Sequence, residues 1–155
     1  NYDIPDGNGK NISLIDFILP NSQVEKRCFI NNIDLDDYIT NDKKIKPDMF
    51  GVYDQKPIRL GIVNKGGQGE RIYSIKGHSI TLSAYGGGVF SKTGGYLING
   101  QIRKLSPREC ARLTGFPDSF ILLDNLNQCW KQFGNSVVVD VVQEIIFSLL
   151  NKKLI

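Results

Sequence analysis

Residues 103–120 read RKLSPRECARLTGFPDSF, and the chain changes character within them. Ser106 stands before Pro107, and Glu109 follows three places after the serine. A serine there can accept the amide of the third helical residue while the glutamate reaches back to the serine amide, and proline fits the first helical position, where its missing N–H has no partner to lose. The pattern predicts a helix starting at Pro107. Gly115 predicts its end, and Phe116-Pro117 turns the chain away. Ahead of this helix the reading is β: IRLGIV (58–63), RIYSI (71–75), SITLSAY (79–85) and YLINGQIRKL (96–105) place β-branched and aromatic residues in partial alternation. Asn99-Gly100 predicts a two-residue hairpin turn, because both positions need positive φ.

Working outward, residues 125–133 predict a short helix stopped by Gly134. Asn135 or Ser136 then caps a long helix whose Val137, Val138, Val141, Val142, Ile145, Ile146 and Leu149 form an apolar stripe opposite Asp140, Gln143, Glu144 and Ser148. NISLIDFIL (11–19) predicts a helix of about two turns, stopped by Pro20. Residues 21–55, with an acidic, amide-rich stretch at 31–42, read as irregular connections around short strands or turns. The fold class is α+β.

Bulk properties narrow the function. At 155 residues and 41% hydrophobic, the chain can bury a core. Cys28, Cys110 and Cys129 form no CxxC pair and no metal-ligand spacing with His78, which points to reduced structural thiols. No signal pattern leads the sequence, and Asp140, Gln143 and Glu144 interrupt the C-terminal apolar run, so a soluble, cytoplasmic chain without a membrane span is expected. Residues 1–55 carry six Lys/Arg against ten Asp/Glu, whereas residues 56–104 carry eight against Glu70 alone. Eleven of the sixteen glycines fall in residues 61–100. Cationic side chains on backbone that can approach a partner closely suit a polyanion. A β-sheet with glycine turns and lysine-protected edges is the plainer alternative.

RKLSPRECARLTGFPDSF and KQFGNSVVVDVVQEI (131–145) closely resemble the last two shared motifs of the C5-cytosine DNA methyltransferases. GGQGERIYS (66–74) and ITLSAYGGGVFSKTGGYL (80–97) are similar to the target-recognition region of that family, especially its HhaI-type members, which methylate the inner cytosine of GCGC. The family's proline-cysteine nucleophile, Glu-Asn-Val segment and Phe-x-Gly-x-Gly cofactor loop do not occur in these 155 residues. The resemblance therefore implies the C-terminal half of such an enzyme, either part of a longer chain or one subunit of a split methyltransferase. Its fold would be a small twisted β-rich target-recognition domain flanked by helices belonging to an α/β catalytic domain. The divisions expected are 1–24, a helical segment of the catalytic domain; 25–105, the recognition domain; 106–134, hinge helices; and 135–155, a helix returning to the catalytic domain.

Site roles follow from the same resemblance. The family flips its target cytosine from the duplex, since chemistry on the ring needs access to its face. Gln68 would fill the vacancy and bond the orphaned guanine, with Gly66, Gly67 and Gly69 letting the backbone pass close to the bases, and Arg71 would read guanine O6/N7. Thr81 would contact a phosphate, while Ser83, Tyr85 and the backbone of Gly86, Gly87 and Gly88 approach bases or sugars. Lys65 and Lys92 are phosphate contacts. Asn135 and Ser136 match positions that reach the S-adenosylmethionine pocket. Plainer readings stand beside these: a surface ion pair of Arg71 with Glu70 or another acid, a half-buried strand position for Tyr85, and simple helix capping for Asn135 and Ser136. His78 reads as a turn residue, and Arg103, Arg108, Glu109 and Arg112 as structural.

The expected partners are double-stranded DNA, an N-terminal catalytic half and, through the C-terminal helix, a second copy. By resemblance the whole would be a bacterial, nucleoid-associated enzyme of a restriction-modification system, and this chain alone would be inactive. A stand-alone DNA-binding module, or a protein-interaction domain with an incidental basic face, are the competing functions.

Overall fold

Four short strands make one mixed sheet in the order β1-β2-β3-β4. They are β1 (Arg59–Ile62), β2 (Arg71–Ser74), β3 (Gly95–Ile98) and β4 (Gln101–Arg103). The computed structural model describes residues 12–31, 33, 45–49 and 55–152. Hence residues 1–11 of the expected helical segment and most of the acidic stretch 31–42 lie outside the described residues. β1 runs antiparallel to β2 and β3 antiparallel to β4, while β2 and β3 pair in parallel through Ile72↔Gly95, Tyr73↔Tyr96 and Ser74↔Leu97. Asn99 and Gly100 join β3 to β4 with φ of 50° and 77°, the hairpin turn their side chains favour.

Alternation along these strands sorts side chains to two faces. Tyr73, Tyr96 and Ile98 point to one, where Leu105, just before the C-terminal helices, and Cys110, Trp130 and Phe133, within those helices, meet them. Leu60, Ile72 and Ile102 point to the other, around the fully buried Phe90. Three helices follow: α1 (Pro107–Leu113), α2 (Leu126–Asn135) and α3 (Val139–Asn151).

α1 begins and ends as its sequence demands. Ser106 Oγ accepts the Glu109 amide at 3.3 Å, and the Ser106 amide donates to Glu109 Oε2 at 2.7 Å. At the other end Gly115, at φ 84°, donates to the Arg112 carbonyl while Phe116 donates to that of Ala111, the paired closure of a Schellman motif. The Glu109 carboxylate also meets Arg103 through both oxygens, at 2.7 and 2.8 Å, and both side chains are fully buried. Arg103 donates further to Asn21 Oδ1 and to the Leu19 and Lys104 carbonyls, and the Leu19 amide donates to Glu109. Both charges of this buried pair are therefore answered, as burial requires. Downstream, Arg112 grips Asp118 with two bonds and Arg108 holds the Phe120 carbonyl. The structural reading of Arg103, Arg108, Glu109 and Arg112 agrees with these contacts.

The sequence-based picture needs correction in several places. In place of a two-turn helix over 11–19 there is a 3₁₀ turn, Leu14–Phe17. SITLSAY is not a strand: the Ile80 amide donates to the Tyr96 hydroxyl and the Ser83 amide to the Lys92 carbonyl, so these two amides are satisfied without a ladder. Gly134 does not stop α2, which runs through it to Asn135; Ser136 is the C-cap, and α3 starts only after Val138. Asn135 and Ser136 therefore end one helix and do not cap the next. His78, read as a turn residue, lies past a turn and bonds Gln55 Oε1 through Nε2 at 2.9 Å.

By length and mean hydropathy the stretch Leu126–Asn151 could cross a membrane. It is two helices broken at Ser136–Val138, and α2 commits Leu126, Cys129, Trp130 and Phe133 to the core. α3 buries no residue. Of the stripe read from the sequence, Val137, Val138, Val141, Val142 and Ile146 are exposed while Ile145 and Leu149 are half-buried, and Phe147 and Leu150 add further exposed apolar surface.

Candidate nucleic-acid interface

Two loops at one end of the sheet define the site. The first joins β1 to β2 and carries residues 63–70. It is closed on itself: the Val63 amide donates to the Glu70 carbonyl, Gly66 to Val63, and Glu70 to Gly67. The Glu70 carboxylate turns back to the Gly67 amide at 3.0 Å and Asn64 Nδ2 at 3.2 Å. Those donors, the Gly67 amide first, hold its carboxyl below the usual carboxylate range. Glu70 is thus a brace of its own loop, and the Arg71–Glu70 ion pair of the plainer reading does not form. Arg71 Nε donates to the Gly66 carbonyl at 3.4 Å, a long bond, and its terminal amino groups make no hydrogen bond or ion pair among the described residues.

The second loop spans residues 81–88 and packs directly on the first. A Cβ added to Gly69 would collide with the Gly87 carbonyl oxygen, and one added to Gly88 would lie 2.6 Å from that of Gly69. The Phe90 amide donates to the Gly69 carbonyl at 2.8 Å, tying both loops to the buried Phe90. Glycine is needed at 69 and 88 because the two backbones touch. Gly87 differs: nothing lies within 4 Å of its missing Cβ, and Gly86 has only Ser83 Oγ at 3.8 Å. These two face open space.

Between the loops lies a cleft of about 240 Å³ whose lining includes Gln68, Thr81, Ser83, Tyr85, Gly86, Gly87 and Lys92. Most of the residues singled out from the sequence therefore converge on one concavity; Lys65, Gly66, Gly67, Arg71 and Gly88 lie outside its lining. The polar groups of Gln68, Thr81 and the Tyr85 phenol make no hydrogen bond among the described residues, and Gln68, Thr81 and Tyr85 are exposed. Tyr85, at 70% exposure, is not the half-buried strand residue of its plainer reading. Ser83 Oγ donates within the loop to the Tyr85 carbonyl.

Sequence reasoning missed what supports the second loop. Asn127, Lys131 and Gly134 lie at i, i+4 and i+7 of α2, one helical stripe. Lys92 Nζ bonds the Asn127 carbonyl at 3.3 Å and Oδ1 at 3.4 Å, and Lys131 Nζ sits 5.0 Å from the centre of the Tyr85 ring. Gly134 abuts the Ser83–Ala84 backbone so closely that a Cβ would overlap it. The helical spacing was visible, but nothing local says which surface the stripe meets.

Asn135 is exposed at the end of α2 and its carboxamide makes no hydrogen bond among the described residues. Ser136 Oγ donates to the Phe133 carbonyl at 2.9 Å and keeps its lone pairs. The pair presents one free amide and one acceptor oxygen, a donor set that fits a polar, zwitterionic cofactor. No cluster of three His, Cys, Asp or Glu side chains occurs among the described residues. The three cysteines are free and buried, and burial pushes the Cys28 thiol up to about 11.

The sequence profile of the C-5 cytosine-specific DNA methylases matches residues 7–151. The chain belongs to that family. This methylase chain is 49% identical over 149 residues to the Type II methyltransferase M.HhaI of Haemophilus parahaemolyticus, a match covering 96% of this chain and 43% of the relative. It is 54% identical over 55 residues to the Type II methyltransferase M.BanI of Aneurinibacillus aneurinilyticus, covering 36% and 13%. Among solved structures, S. pombe Dnmt2 methyltransferase superposes with a TM-score of 0.53 at 18% identity, over 96% of this chain and 44% of that one. Entamoeba histolytica methyltransferase EhMeth gives 0.54 at 16%, over 97% and 44%. These two likenesses concern the fold. The methylase chain spans less than half the length of these relatives.

Proposed function

We propose that this methylase chain is the target-recognising part of a DNA (cytosine-5)-methyltransferase, and that the cleft between its two loops faces the duplex. The observation that carries the reading is the convergence of unengaged polar groups, on Gln68, Thr81 and Tyr85, around one open cleft in a chain of this family. Chemistry on a base inside a duplex requires the nucleotide to leave the stack. Gln68, at the tip of the first loop, fills the vacancy with an amide that can both donate to and accept from the orphaned guanine. Arg71 reads guanine O6/N7 with its free amino groups, a bidentate contact worth about 1–3 kcal/mol of discrimination. Thr81, Lys65 and Lys92 meet phosphates, and Ser83, Tyr85 and the Gly86–Gly88 backbone follow the groove. Gly66, Gly67 and Gly69 shape the first loop for that approach.

The reacting centre belongs to a catalytic half outside these residues. S-adenosylmethionine supplies the methyl group for cytosine C5, and here Asn135 and Ser136 would hold it at the end of α2. Residues 25–105 then form the recognition domain, 106–134 the hinge, and 1–24 and 135–155 the parts returning to the catalytic domain. The target is a short G+C site, GCGC by resemblance to the HhaI type, and the setting a bacterial cytoplasm with access to the nucleoid.

Mixing the chain with a family N-terminal half containing the proline-cysteine motif, a GCGC duplex and labelled S-adenosylmethionine is expected to restore methyl transfer. Selective GCGC binding without transfer would replace the proposal with a DNA-binding module that has no catalytic partner. Duplex binding with neither salt dependence nor sequence preference would make the basic face incidental, because phosphate contacts release counterions.

A further inference from the structure

We infer that Lys131, on α2, is a phosphate-contacting residue of the same interface, oriented by Tyr85; the inference rests on the DNA-binding reading above. Lys131 is exposed, and its ammonium stands 5.0 Å from the centre of the Tyr85 ring, with no ion pair or hydrogen bond among the described residues. Tyr85 in turn lines the cleft and is 70% exposed. An aromatic face attracts an ammonium without cancelling its charge or using its N–H donors. The ring therefore narrows where the lysine points and leaves all three donors for an anion. One turn earlier on the same stripe, Asn127 fixes Lys92, which lines the cleft. Two ammonium groups thus meet the same stripe of α2, one held at residue 127 and lining the cleft, the other carried by residue 131 and standing beside the cleft's Tyr85, the two helix positions being about 6 Å apart along the axis. A single small anion would engage one such group; two cations at the edge of one cleft match a repeating anion, the sugar-phosphate strand of a duplex. As a phosphate contact Lys131 serves strength and register of binding, and sequence preference is left to the loops.

The test is a salt titration of binding between the chain and a fluorescent GCGC duplex, for wild type, Lys131→Gln and Lys131→Arg. Each neutralised phosphate contributes about 0.9 to the slope of log K against log salt concentration. Lys131→Gln is expected to lower that slope by about 0.9 and to weaken GCGC and scrambled duplexes equally. Lys131→Arg should retain the wild-type slope. A wild-type slope in Lys131→Gln would overturn the inference alone, as would a loss confined to the GCGC duplex. A wild-type chain whose duplex binding shows no salt dependence would remove the DNA-binding reading and this inference with it.

Discussion

Glu109 has no access to water, so its counter-charges and hydrogen bonds must all come from the protein. Arg103 supplies two bonds, and the Leu19 and Ser106 amides one each. Removing one member of such a pair strands the other as an uncompensated buried charge. Glu109→Gln is expected to lower stability by about 3–5 kcal/mol, read as a shift of the urea midpoint at unchanged slope. The sequence revealed the capping half of this residue's role through its spacing from Ser106; the ion pair was hidden because nothing in a linear chain says that Arg103 and the Leu19 amide converge on the same carboxylate. Titration offers a second check at this scale. Burial first, then the Glu25 carboxylate, raise the Cys28 thiol from its ordinary 9.0 to about 11. The folded state therefore keeps a proton that the unfolded chain releases, and the stabilisation present below pH 9 is lost as pH rises through 11. Lys104 opposes this trend, since burial lowers its pKa from 10.5 to about 8 and the unfolded chain binds the extra proton between those values. Its ammonium stands over the Trp130 ring at 3.9 Å. Chemical denaturation from pH 9 to 11 should show a smaller loss of stability in Cys28→Ala than in wild type.

Among the elements, α2 shows where local pattern and tertiary contact part ways. Glycine at 134 signals a helix end by propensity, costing about 1 kcal/mol in a helix interior relative to alanine. The helix nevertheless continues through it because the Ser83–Ala84 backbone occupies the space a Cβ would need. Gly134→Ala therefore sets helix propensity against overlap, and overlap wins, since overpacking a fitted contact costs about 1–3 kcal/mol. Thermal unfolding should show a lower midpoint for Gly134→Ala, whereas Gly87→Ala, with nothing near its Cβ, should stay within about 0.5 kcal/mol of wild type. The β3–β4 hairpin and both ends of α1 were legible because their signals are local: Asn99-Gly100, the Ser106–Glu109 spacing, Gly115. Residues 79–85 were misread as a strand because alternation records which side chains face inward, and not whether a neighbouring strand is present to complete a ladder. Parallel pairing of β2 with β3 left no local mark, since the 20 residues between them contain no crossover helix.

For the whole molecule, the decisive feature is a body with a fitted core carrying one helix that buries nothing. α3 touches that body at its start, where the Val139 amide donates to the Thr114 carbonyl and Val139 Cβ approaches Gly115. An uncovered stripe including Val142, Ile146 and Phe147 exposes apolar area that water disfavours. In the chain by itself, sedimentation should show concentration-dependent self-association. Ile146→Asp should shift it toward monomer without altering the unfolding midpoint of the body. The stripe was visible in the sequence through its helical period, and so was the crowding of cations and glycines into one segment. Periodicity could not tell that two glycine loops would lock against each other through Gly69 and Gly88 while Gly86 and Gly87 stayed open. That arrangement is the centre of the functional account, and amide hydrogen exchange of the chain with and without a GCGC duplex tests it most directly. Slowed exchange concentrated in residues 66–70 and 81–88, absent with a scrambled duplex, is the expected result; protection confined to α3, or none at all, would contradict it.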